Sequence, residues 1–169
     1  MKSIVFLAVA SAALLTSAAT TFSAEWLTKV DEDVFSGKST AVMIGGSGAQ
    51  LNVYLSCDGD RKNSLAVIFK ADEGVVEDVD GELVLKADDA EPFRYAVRSY
   101  NHNDDYGGFL AELTPEDASK LVASIKGAKK RVIAGLQVAA LEIKASNTLA
   151  TTGSTKAAEL FAKACELSQ

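Results

Sequence analysis

Histidine is almost absent: His102 is the single one among 169 residues, beside two cysteines, one tryptophan and two prolines. That scarcity excludes several kinds of chemistry. One histidine and two cysteines do not supply the three or four ligands of a closed zinc site. Any mechanism that needs an imidazole has only His102 to use. Cys57 and Cys165 lie too far apart for the C-x-x-C of a redox pair. Basic runs are lacking too: the longest is Lys129-Lys130-Arg131, and the chain carries a formal charge of −6. Such an acidic chain suits neither nucleic acid nor an anionic lipid surface. No repeat or low-complexity linker divides it.

The one sustained apolar run, Ile4 to Leu15, follows Lys2 and precedes the small-residue exits Ser17-Ala18-Ala19 and Phe22-Ser23-Ala24. This is the layout of a secretory signal peptide. A retained anchor is the alternative, but a run of about a dozen residues falls short of the ~20 that span a bilayer. We expect residues 1–24 to be the signal peptide, cleaved after Ala19 or Ala24, and residues 25–169 to form a single exported β-rich domain. The expected location is the periplasm or the medium, with no membrane insertion after cleavage.

Along the exported part, Glu25 to Gly37 reads as a lead-in with a turn at Ser36-Gly37, and Thr40 to Ile44 as a short strand ended by Gly45-Gly46-Ser47-Gly48. Leu51, Val53, Leu55 and Cys57 alternate with Asn52, Tyr54 and Ser56, the period-two mark of a half-buried strand. Asp58-Gly59-Asp60 turns it into Leu65–Phe69. Asp80-Gly81 reads as a tight turn before Leu83–Leu85. Phe93–Tyr100 is predicted as a strand, NHNDDYGG (101–108) as a polar loop, and Phe109–Leu113 as the returning strand. Thr114 as cap, Pro115 at the first helical position and Glu116-Asp117 behind it start a helix. Ala118, Leu121, Val122 and Ile125 form its apolar face, and Gly127 closes it. Arg131–Lys144 is β-prone with a bend near Ala139-Ala140, and a last helix runs from about Ser154. The fold class is therefore α+β: a mainly antiparallel sheet with two helices in the C-terminal half.

In the last helix Ala157, Leu160, Phe161, Ala164 and Cys165 make one stripe, which points Cys165 inward. Cys57 shares its strand face with Leu51, Val53 and Leu55. Two inward cysteines in an exported chain predict a disulfide that ties the last helix to the sheet. Closing a loop of about a hundred residues restricts the unfolded chain by up to roughly 4.7 kcal/mol in the entropic account.

Other chemistry finds little support. Asp31-Glu32-Asp33, Asp58-Gly59-Asp60, Asp78-Val79-Asp80-Gly81 and Asp104-Asp105 all miss the EF-hand pattern. Gly46-Ser47-Gly48 lacks both the nucleophile-elbow spacing and the phosphate-loop lysine. We assign no catalytic residue, metal ligand or cofactor, and expect a protein that is not an enzyme. The aromatic residues are the better guide. Tyr54, Tyr95, Tyr100, His102 and Tyr106 form the candidate contact surface, because large, stiff side chains with polar tips make good protein contacts. The alternative is that they cover a second, smaller core, with His102 in a solvated turn.

Glu25-Trp26 at the start, Leu55-Ser56-Cys57 on an early strand, Gly153-Ser154-x-x-Ala157 and Ala164-Cys165 at the end resemble the type VI secretion-associated periplasmic protein family. The ordering is more loosely similar to the invasion associated locus B family, whose members usually carry more cysteines. These resemblances imply a β-rich periplasmic accessory protein without catalytic residues. Tyr54-Leu55-Ser56-Cys57-Asp58-Gly59 is also similar to the opening of the membrane-bound lysozyme inhibitor family, although the helices and the distant Cys165 depart from that compact barrel. The expected role is contact with another envelope protein in secretion or envelope assembly. The alternative is an inhibitor or immunity protein of a cell-wall hydrolase, since an acidic module steers a basic enzyme toward itself.

Overall fold

A computed structural model describes residues 26–46, 51–60, 62–71 and 75–168. The signal peptide and the Ser47-Gly48 turn expected from sequence lie outside the described residues. Among the described residues nine strands form one antiparallel sheet: β1 (Leu27–Glu32), β2 (Ser39–Gly45), β3 (Asn52–Cys57), β4 (Asn63–Lys70), β5 (Asp80–Ala87), β6 (Phe93–Asn103), β7 (Tyr106–Leu113), β8 (Val132–Val138) and β9 (Ile143–Leu149). The spatial order is β1-β2-β3-β4-β7-β6-β5-β8-β9. Two meanders thus meet where β4 pairs with β7. The sheet curls into a half-barrel. At one end its flanks approach: Trp26 Nε1 donates to the Ala150 carbonyl at 2.8 Å and Asn147 Nδ2 to the Leu51 carbonyl at 2.9 Å. Gly45 has no side chain for a reason, because a Cβ there would sit 2.6 Å from the Trp26 ring.

Helix α1 (Pro115–Gly127) leaves β7 and carries the chain across the sheet to β8. Thr114 caps it, accepting from the Asp117 amide at 3.1 Å while its own hydroxyl donates to the Asp117 carboxylate at 2.7 Å. Ala118, Leu121, Val122 and Ile125 are its buried face, as their spacing predicts. Helix α2 (Ser154–Ala164) returns to pack over β1 and β2 and beside α1. Both helices lie on the inner face, against alternating residues such as Met43, Leu55, Val67, Leu83, Phe109 and Leu136. The disulfide joins Cys57, at the end of β3, to Cys165, the residue that closes α2.

Several boundaries differ from the sequence reading. The lead-in contains an edge strand, β1, whose Thr28 and Val30 are too polar or too exposed to mark an apolar face. Asp80-Gly81 is not a turn but the start of β5, paired with Arg98 and Val97; the chain turns earlier, at Glu77-Asp78, where Asp78 has φ +59°. The 101–108 loop shrinks to Asp104-Asp105, because β6 and β7 stay paired to Asn103 and Tyr106 across a bulge at His102. Arg131–Lys144 is no single bent strand. It folds back through a short 3-10 turn at Ala139–Leu141, with Glu142 at φ +54°, and β9 pairs along β8. In α2, Leu160 is 42 % exposed while Ala158 and Ala162 are buried. The buried stripe is turned toward α1, where small side chains let the two helices come close.

Candidate contact surface

The outer face of the sheet holds a second, smaller buried patch. Ala66 and Ile68 point away from the helices, yet are only 4 % and 3 % exposed. Across the pairing β3–β4–β7–β6, Tyr54 stands opposite Ala66, Ile68 opposite Gly108, and Gly108 opposite Tyr100. Gly108 is the low point that lets rings from distant strands meet. A Cβ on it would lie 2.7 Å from the Val67 carbonyl and 2.9 Å from Tyr100 Cε1, so the Tyr100 ring lies over its backbone.

His102 completes the group. Its ring is 6.3 Å from that of Tyr54 and 6.1 Å from that of Tyr100, edge-on to the latter at 87°. The bulge between Asn101 and Asn103 places it there. Tyr54 and Tyr100 are half-buried, whereas His102 is exposed. Burial, and then the neighbouring phenol of Tyr106, raises the pKa of Tyr54; burial, and then Tyr54, raises that of Tyr100. Both remain protonated donors at neutral pH. A raised pKa is the opposite of what activates a phenol as base or nucleophile. What the arrangement offers is ring faces, hydroxyl tips and an imidazole edge, on strands that hold them in place.

Four of the five residues singled out by sequence are therefore neighbours: Tyr54, Tyr100, His102 and Tyr106. Tyr95 is not among them. It faces inward, stacked on Phe93 with ring centroids 6.5 Å apart. Burial, and then the charge of Asp117 at the start of α1, pushes its pKa up to about 12. Tyr54 and Tyr100 thus cover the second, smaller core of Ala66 and Ile68, and each stays half-buried, with an edge left to solvent.

Two other features escaped the sequence reading. Asp88 sits at φ +48° in the β5–β6 turn, and its carboxylate accepts from the amides of Lys129, Lys130 and Arg131 at 2.7–2.9 Å. Those three hydrogen bonds hold its pKa below the usual carboxylate range. Asp58 and Asp88 show that the acidic turns organise backbone; among the described residues no three His, Cys, Asp or Glu side chains gather as a metal site would need. Between the helices, Val122, Ala123, Ala158, Ala162 and Leu167 line an apolar groove of 390 Å³. Comparison with protein-family models, curated proteins and solved structures finds no match.

Proposed function

We propose that this chain is an exported, non-enzymatic accessory protein that acts through contacts with another envelope protein. The observation that carries the reading is the convergence of Tyr54, Tyr100, His102 and Tyr106 on one outer-face patch built around Gly108. Stiff aromatics anchored on strands lose little entropy on docking, which is why such residues dominate protein interfaces. The Cys57–Cys165 bond supports an oxidising compartment, in line with the signal-like N-terminus. The likeness of Glu25-Trp26, Leu55-Ser56-Cys57 and Ala164-Cys165 to the type VI secretion-associated periplasmic family supports a place in secretion or envelope assembly.

A second reading, inhibition of a basic cell-wall hydrolase, is favoured by the net charge of −6. Salt separates the two. Capture of a basic hydrolase weakens steeply as ionic strength rises, whereas docking on the aromatic patch does not. The test is to recover the partner on immobilised protein, then titrate it against variants. Tyr100→Ala and His102→Ala should each weaken binding by roughly 30-fold, as expected of interface anchors. Unchanged affinity in both variants would refute the patch as the contact surface.

A further inference from the structure

Exposed apolar side chains crowd one edge of the molecule. Of the eight large exposed hydrophobics among the described residues, Leu27, Val30, Val34, Phe35 and Leu160 lie along β1, on its hairpin tip or on the adjoining turn of α2. Phe35 is 96 % exposed. It is not there through looseness: Asp33 accepts from the Phe35 amide at 2.9 Å and from the Ser36 hydroxyl at 2.6 Å, and its carbonyl accepts from the Gly37 amide at 2.7 Å. The tip is preorganised to present an apolar side chain, which lowers the ordering needed on binding.

The backbone of β1 shows which groups face outward. The Trp26 amide bonds to Thr152, away from β2, and the Asp33 amide bonds to Lys38 of the β1–β2 hairpin. Because successive residues of a strand point their amides and carbonyls to opposite sides, Thr28, Val30 and Glu32 present theirs to the outer edge of β1, which no other strand covers among the described residues. A twofold axis can pair β1 with its own copy about Lys29, Val30 or Asp31. About Lys29 or Asp31, like charges oppose each other. About Val30, each Lys29 stands opposite Asp31 of the partner subunit, and Val30 meets Val30 of the partner subunit. Thr28 then exchanges backbone bonds with Glu32 of the partner subunit. The two α2 helices, each packed over β1 and β2 together and tied there by the Thr28 hydroxyl bond to the Ala157 carbonyl at 2.7 Å, would lie two strand spacings, about 10 Å, apart, a helix-packing distance. Val34 and Phe35 of the partner subunit would reach the cavity of 230 Å³ that Trp26, Leu27, Gly153 and Leu160 line.

We propose that the protein forms a twofold-symmetric dimer by antiparallel pairing of β1 with β1 about Val30, so that one sheet runs through both chains. This does not rest on the outer-face reading above. The test is sedimentation of the purified protein over a range of concentrations. Wild type should dimerise reversibly. Lys29→Asp should weaken the dimer by roughly tenfold, since it sets Asp against Asp twice, and adding Asp31→Lys should restore it. Val30→Pro removes an amide that faces away from β2, is compatible with an edge strand, and should leave a folded monomer. A wild-type protein that stays monomeric, a series of higher oligomers, a dimer indifferent to Lys29→Asp and Val30→Pro, or a double variant that stays as weak as Lys29→Asp would each overturn the proposal.

Discussion

Single residues hold the turns of this fold, and two of them make the point testable. Asp88 is needed as a charged acceptor for three amides. Its folded pKa is depressed, so its contribution is complete above the unfolded carboxylate pKa, about 4, and is lost as pH falls through the folded value. Asp88→Asn should therefore lower the melting temperature at neutral pH, and the gap to wild type should narrow below about pH 4. A gap that is constant with pH would contradict this role. Glu142 adopts φ +54° in an exposed turn, a conformation that side chains resist. Glu142→Gly should stabilise the protein by about 0.5–1 kcal/mol in denaturant unfolding. Sequence could not show this position, because nothing about a glutamate advertises left-handed backbone. A reversal within 101–108 was legible for the opposite reason, from its Asn, Asp and Gly residues, although not that it narrows to Asp104-Asp105.

At the scale of elements, legibility followed burial pattern. The β3 alternation and the α1 stripe with its Thr114 cap read correctly, because each buries one continuous face. β1 and β9 did not, since edge strands bury little and their residues are chosen by solvent rather than by a core. α2 was readable as a helix but not in its facing, because it packs on α1 as well as on the sheet. Its tether carries a prediction. Replacing Cys57 and Cys165 together by alanine should cost about 2–5 kcal/mol, with amide exchange rising first in α2 and in the β1–β2 hairpin beneath it. Uniform loss of protection across the sheet would count against a local staple. The aromatic patch also depends on an element-level fit. Gly108→Ala should displace the Tyr100 ring, because the Val67 carbonyl at 2.7 Å leaves a methyl no room, and should weaken partner binding about as much as is expected of Tyr100→Ala.

Over the whole molecule, the curled sheet divides labour between its two faces. The inner face, with Phe109, Phe161 and the disulfide, supplies stability; truncating Phe161 to alanine should remove about 3–5 kcal/mol. The outer face brings together residues from strands far apart in sequence, Tyr54 on β3 and His102 on β6. That meeting was only half legible: residue types marked the candidates and alternation along β6 sets Tyr95 on the face opposite Tyr100, but only strand order brings Tyr54 and Tyr106 beside Tyr100 and His102. The measurement that tests the central claim most directly is photo-crosslinking in living cells, with benzoylphenylalanine in place of His102 and, as control, in place of Lys144 on β9. The account predicts a defined adduct with one envelope protein from position 102 and none from position 144. No adduct at 102, or the same products from both positions, would contradict it.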